Sequence, residues 1–207
     1  MKKSNIILIS LFIITLTTIV IVHLKVKSTI TNIQEFEYQY NPFNKLVIEN
    51  GWIVELQKDS VTNVTINIDT IKKMIAQDGN TFILKENTDK RKSIHITNPC
   101  TKEISMFGNS TLRYYAESST DSLMIRLSET SDIIIHSEKA QKGKTKKTEK
   151  NTIDFLRIEA KHNSRLNIYT HVNTLEGFMA DTSFLYINGR FRIKNMEKSE
   201  NARINSW

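Results

Sequence analysis

The sequence predicts an all-β protein: a parallel β-helix (solenoid) with rungs of about 20 residues, preceded by one N-terminal transmembrane or signal helix. Three observations predict it. One short phrase, Asn/Thr-Ser/Ala-x-Leu/Ile, occurs five times, at Asn109–Leu112, Thr130–Ile133, Asn163–Leu166, Thr182–Leu185 and Asn201–Ile204, with steps of 21, 33, 19 and 19 residues between the apolar anchors. Each anchor is preceded, about ten residues earlier, by an alternating stretch such as Leu123-x-Ile125-x-Leu127, Leu156-x-Ile158-x-Ala160 or Leu175-x-Gly177-x-Met179. Finally, the chain begins with Met1-Lys2-Lys3 and an uncharged stretch from Ser4 to Val22.

The N-terminal stretch of 19 residues would span about 28 Å as a helix, close to the thickness of a bilayer core. It reads as a single-pass signal anchor inserted through residues 4–24, or as a signal peptide with Val26-Lys27-Ser28 as its cleavage site. Both place the rest of the chain outside the cytoplasmic membrane: held there by the anchor, or secreted or periplasmic after cleavage. Residues 1–28 are thus the anchor or signal peptide, and 29–44, with Phe36, Tyr38, Tyr40 and Phe43, a connector.

Residues 45–207 form the predicted solenoid domain. Lys45–Trp52 followed by Ile53–Leu56 reads as two strands around an Asn50-Gly51 turn, Val61–Ile68 alternates, Ile71–Ile75 suits one helical turn, and Asp78-Gly79 marks another turn before Phe82–Leu84. From Lys102 onward each unit is strand, tight corner, strand. The outermost alternating copies, Lys102-x-Ile104-x-Met106 and Lys194-x-Met196-x-Lys198, are degraded, as terminal units often are. Asn, Thr and Ser suit the corner because they tolerate positive φ or bond to nearby backbone. The long step of 33 contains a basic loop at 139–150, with six lysines against Glu149.

The net charge of +7 is located rather than spread. Four lysines in residues 1–27 and the loop at 139–150 account for more than all of it, so the remainder is slightly acidic and nucleic-acid binding is not indicated. Cys100 is the single cysteine, which excludes an intramolecular disulfide and a cysteine metal cluster, and it reads as buried or inert.

The segment Gly51–Asp59, then Val64–Ile68, Asp78–Leu84 and the repeated Leu-x-Ile-x-Leu…Ser-x-Ile units resemble the autotransporter adhesin head GIN domain family of bacterial cell-envelope proteins. The resemblance covers about residues 46–207. It implies an exported, right-handed parallel β-helix acting as a non-enzymatic binding or adhesion-type module, with no catalytic residues to carry over. The sequence departs from the family at the corner. Only Phe107-Gly108 keeps the glycine, while Glu129, His162, Asp181 and Glu200 stand in its place.

These four residues stack in one column under the repeat register, and Asp132 and Arg165 stack one residue before the anchor. The column is the sharpest candidate for a ligand or divalent-cation site, although exposed corners accept polar residues without any ligand. No catalytic, cofactor or metal residue is assigned. The leading functional reading is a cell-envelope binding module whose partner is a surface glycan or envelope protein. Two alternatives remain open: a carbohydrate-active β-helix enzyme, which needs converging carboxylates, and an envelope scaffold that self-assembles as a homo-oligomer through its terminal rungs.

Overall fold

The computed structural model describes residues 12–22, 25, 35–67, 69–85, 91–116, 120–137 and 151–206. The chain divides into two compact units, Met1–Glu35 and Phe36–Trp207.

In the first unit, residues 12–22 are helical. Thr15, Thr17 and Thr18 turn their hydroxyls back onto the carbonyls of Phe12, Ile13 and Ile14 at 2.7–2.9 Å, which satisfies them within an otherwise apolar segment. Phe12, Ile13, Ile14, Leu16 and Ile19–Val22 are all exposed. Among the described residues no helix is long and apolar enough to cross a membrane. The predicted span 4–24 is therefore not shown: 4–11 and 23–24 lie outside the described residues, as do the Val26-Lys27-Ser28 cleavage site and the basic loop 139–150.

Among the described residues the second unit holds 17 strands: β1 (Phe36–Gln39), β2 (Lys45–Ile48), β3 (Trp52–Gln57), β4 (Asn63–Ile66), β5 (Ile75–Asp78), β6 (Thr81–Leu84), β7 (Lys92–Thr97), β8 (Glu103–Met106), β9 (Thr111–Tyr115), β10 (Thr120–Leu127), β11 (Asp132–His136), β12 (Thr152–Ala160), β13 (Arg165–Tyr169), β14 (His171–Met179), β15 (Phe184–Ile187), β16 (Phe191–Lys198) and β17 (Arg203–Ser206). A 3₁₀ helix covers Asp69–Met74, where a helical turn was predicted. Sheet A runs β1-β4-β7-β3-β9-β11-β13-β15-β17, and sheet B runs β16-β14-β12-β10-β8-β2-β6-β5.

This corrects the predicted fold class. The chain forms two mixed sheets, not a closed parallel β-helix: β1 with β4, β4 with β7 and β5 with β6 are antiparallel. Two physical reasons account for it. Gly79-Asn80 is the loop of a two-residue hairpin (Asp78 opposite Thr81), and a hairpin can only join antiparallel strands. In addition, each stretch from Lys102 onward supplies only two strands joined by one corner, which makes two layers and no third face to close a tube. The Asn50-Gly51 turn likewise carries the chain from sheet B (β2) to sheet A (β3) and does not pair the two strands.

Strand faces follow the alternation in the sequence. In β11 the pattern is half-buried, buried, half-buried, buried, half-buried, with Ile133 and Ile135 fully inside. The anchors pair in parallel register across sheet A: Leu112 with Ile133, Ile133 with Leu166, Leu166 with Leu185, and Leu185 with Ile204. In sheet B, Leu123, Leu156 and Leu175 align, as do Ile125, Ile158 and Gly177. The inward residues of both sheets form one apolar core, in which Trp52, Phe43, Phe82 and Tyr114 are the largest members. Phe43 stacks on Phe82 at 5.0 Å, and Tyr40 meets Phe82 edge-on at 5.1 Å.

Candidate functional site

The corners between the sheets position the outer face of sheet A. Gly108 has φ 70°, and Glu129, His162 and Asp181 hold the same left-handed conformation at 60°, 58° and 57°. The three non-glycine residues at this corner therefore keep the glycine geometry and carry its strain, about 1–2 kcal/mol each. Glu200 is not in that region. Next to each corner lies the small residue of the phrase: Ser110, Ser131, Ser164, Ser183 and Ala202 are all buried. Their backbone forms a ladder in which Asp132, Arg165, Phe184 and Arg203 donate N–H to the carbonyls of Ser110, Ser131, Ser164 and Ser183 at 2.9–3.0 Å.

The proposed column is thus mainly architectural. His162 donates its backbone N–H to Asp181 Oδ2 at 3.0 Å, so the Asp181 carboxylate caps the neighbouring corner. Thr182 bonds Asn163 across the same step. Among the described residues no three His, Cys, Asp or Glu side chains converge as a metal site. One expected result follows. His162→Gly and Glu129→Gly should each raise stability by about 0.5–1 kcal/mol, because glycine removes the strain at some entropic cost. Asp181→Gly should be near neutral, because it also removes the cap. Thermal melts of the three variants check this.

A cavity of about 660 Å³ opens at the C-terminal part of sheet A's outer face. It brings together Asp132, Arg165, Phe184 and Arg203, the outward residues of four neighbouring strands, with Asn167, Thr182, Ser183, Glu200 and Asn201. Of the residues singled out from sequence, Asp132, Arg165 and Glu200 line it; Glu129, His162 and Asp181 do not. Asn167 donates to Asp132 Oδ1 at 3.4 Å. Burial raises the Asp132 carboxyl above its ordinary value, and the Arg165 charge partly offsets this.

Beside the cavity runs a row of rings that sequence reasoning missed. Tyr115, His136 and Tyr169 are in register on β9, β11 and β13 and stack at 5.4 Å with ring planes 9–16° apart. Tyr186 continues the row at 5.9 Å from Tyr169 and pairs with Asn167 of the cavity wall. Burial and the nearby Arg113 lower the His136 pKa, which favours the neutral ring between the two tyrosines. The signal was present in the sequence, because these rings occupy the third position after the anchors Leu112, Ile133 and Leu166.

Elsewhere, the outer face of sheet B carries an ion-pair chain: Lys45–Glu103 at 2.8 Å, Glu103–Arg126, Arg126–Glu159 at 3.0 Å and Glu159–Arg157 at 3.4 Å. Its members are partly exposed, so each pair adds little stability. Cys100 is exposed, not buried, and lines a smaller cavity of about 230 Å³ with Lys58, Lys102 and Asp121.

No family model and no curated protein matches the chain, so the resemblance to the GIN domain family rests on the residues quoted above. Among solved structures, the chain is similar to a "putative adhesin" from Bacteroides fragilis (19% identity, 84% of this chain and 96% of that one, TM-score 0.48). It is also similar to a "putative lipid binding protein" from Parabacteroides distasonis (10% identity, 84% and 96%, TM-score 0.43). A third is a "putative adhesin" from Parabacteroides merdae (8% identity, 84% and 95%, TM-score 0.31). At these identities and TM-scores the likeness carries no argument about this chain.

Proposed function

We propose that this chain is a non-catalytic binding module of the cell envelope, and that it recognises a polar glycan on the outer face of sheet A. The observation that carries this reading is the 660 Å³ cavity, polar apart from Phe184 and bordered by the row Tyr115, His136, Tyr169 and Tyr186. Arginine forks, carboxylates and amides suit hydroxyl and carboxylate groups of a sugar, and aromatic rings suit its apolar face. The exposed surface of helix 12–22, apolar apart from Thr15, Thr17 and Thr18, supports display at a membrane, through an anchor or after export.

The test is binding of the full chain to a glycan array, followed by titration of the best ligand. Arg165→Ala and Arg203→Ala should each weaken binding about tenfold or more, the loss typical of a hydrogen bond to a charged group. Absence of any glycan binding, or binding indifferent to both substitutions, would overturn the proposal. A second reading, a carbohydrate-active enzyme, has one observation behind it: Asp132, with its raised pKa, and Glu200 share the cavity. Glycan turnover lost in Asp132→Asn and Glu200→Gln would establish that reading instead.

A further inference from the structure

The two ends of the β unit differ. At one end the edge strands are β1 and β5, short and antiparallel to their neighbours. At the other, sheet B ends on β16 and sheet A on β17, both parallel to the strand before. β16 has eight residues, and among the described residues no strand pairs with its outer edge. It also exposes apolar surface: Ile193 is 47% exposed, and Phe191 and Met196 are only partly buried. A long unpaired edge with apolar residues is a template for a further strand.

We propose that a second copy of this chain supplies that strand, through a two-fold antiparallel pairing of β16 with itself centred between positions 194 and 195. In this register all eight residues of β16 find partners. Ile193 falls opposite Met196 and Arg192 opposite Glu197, each contact occurring twice by symmetry. The faces agree as well. Ile193 and Met196 take the core side, because they pair with Leu175 and Gly177, while Glu197 is outward beside Phe178. Arg192 and Glu197 are both exposed. The register thus sets one opposite-charge pair, Arg192 with Glu197, on the outer face, where it favours this pairing. A two-fold contact uses the same edge on both copies, so this pairing closes at the dimer and does not propagate through β16.

The experiment is sedimentation velocity of the full chain in mild detergent over a concentration series. The wild type should show a monomer–dimer equilibrium. Arg192→Glu and Glu197→Arg should each weaken the dimer about tenfold, because two attractive cross-strand contacts become repulsive. Mixing the two single variants should restore dimer, since each then faces the opposite charge on its partner. A chain that stays monomeric throughout, or a dimer unaffected by the single variants, overturns the proposal. So does a failure of the mixture to recover, with both variants melting like the wild type.

Discussion

Gly177→Ala is expected to leave almost no folded protein. Gly177 lies in the middle of β14, opposite Ile158 of β12 and Met196 of β16, with φ 133°. A side chain at this position would run into the Ile158 carbonyl oxygen and come to 2.8 Å from the Ile158 carbonyl carbon and amide nitrogen. Those atoms belong to a strand paired on both edges, so neither strand can retreat without breaking its ladder. The φ is itself closed to residues with a Cβ. Steric overlap and backbone strain together put the cost at about 4 kcal/mol or more, a large part of the stability of a domain this size. Soluble yield and thermal melting of the variant check it; a melt within a few degrees of wild type would show that β14 can shift.

Asn98→Ala is expected to cost about 3–5 kcal/mol. Asn98 is 1% exposed, and each polar atom of its side chain makes two hydrogen bonds. Oδ1 accepts from Phe43 N–H at 3.2 Å and from Thr62 Oγ1 at 3.0 Å, while Nδ2 donates to Phe43 O at 2.8 Å and to Thr101 Oγ1 at 2.7 Å. One amide thus ties the loop before β2, the entry to β4 and the loop before β8. Alanine leaves those groups without their buried partner, and the unmet desolvation outweighs the lost bonds themselves. The effect should concentrate where the antiparallel strands sit, so hydrogen exchange should accelerate in β1 and β4 more than in β13 and β15. Uniform acceleration would contradict that local role.

The strand faces were legible because alternation depends only on neighbouring residues. Leu123, Ile125 and Leu127 announce their inward face wherever the strand is placed. The parallel alignment of Leu112, Ile133, Leu166, Leu185 and Ile204 was legible for a related reason: like corners that stack on one another hold their anchors level. The closed β-helix was not borne out. The phrase marks one corner per unit, and nothing local states how many faces a unit has. The antiparallel β1, β4 and β5 lie before the phrase begins, where the sequence offers turns but no register.

The candidate site shows the same division. Glu129, His162 and Asp181 were noticed because they replace a glycine, and their positive φ shows why that position is conspicuous: it is a backbone demand. The cavity residues Phe184 and Arg203 and the ring row Tyr115, His136, Tyr169 and Tyr186 fall at variable positions of the unit, and they meet only when the strands are laid side by side. The sequence alone determined which residues face inward, where the chain turns and which positions recur at equal height. The tertiary structure decided that there are two mixed sheets, and that outward residues from β11, β13, β15 and β17 share one cavity. The reason is range: periodicity and turn chemistry act between neighbours in the chain, whereas a site here is assembled from residues about 20 or more positions apart, brought side by side by strand pairing.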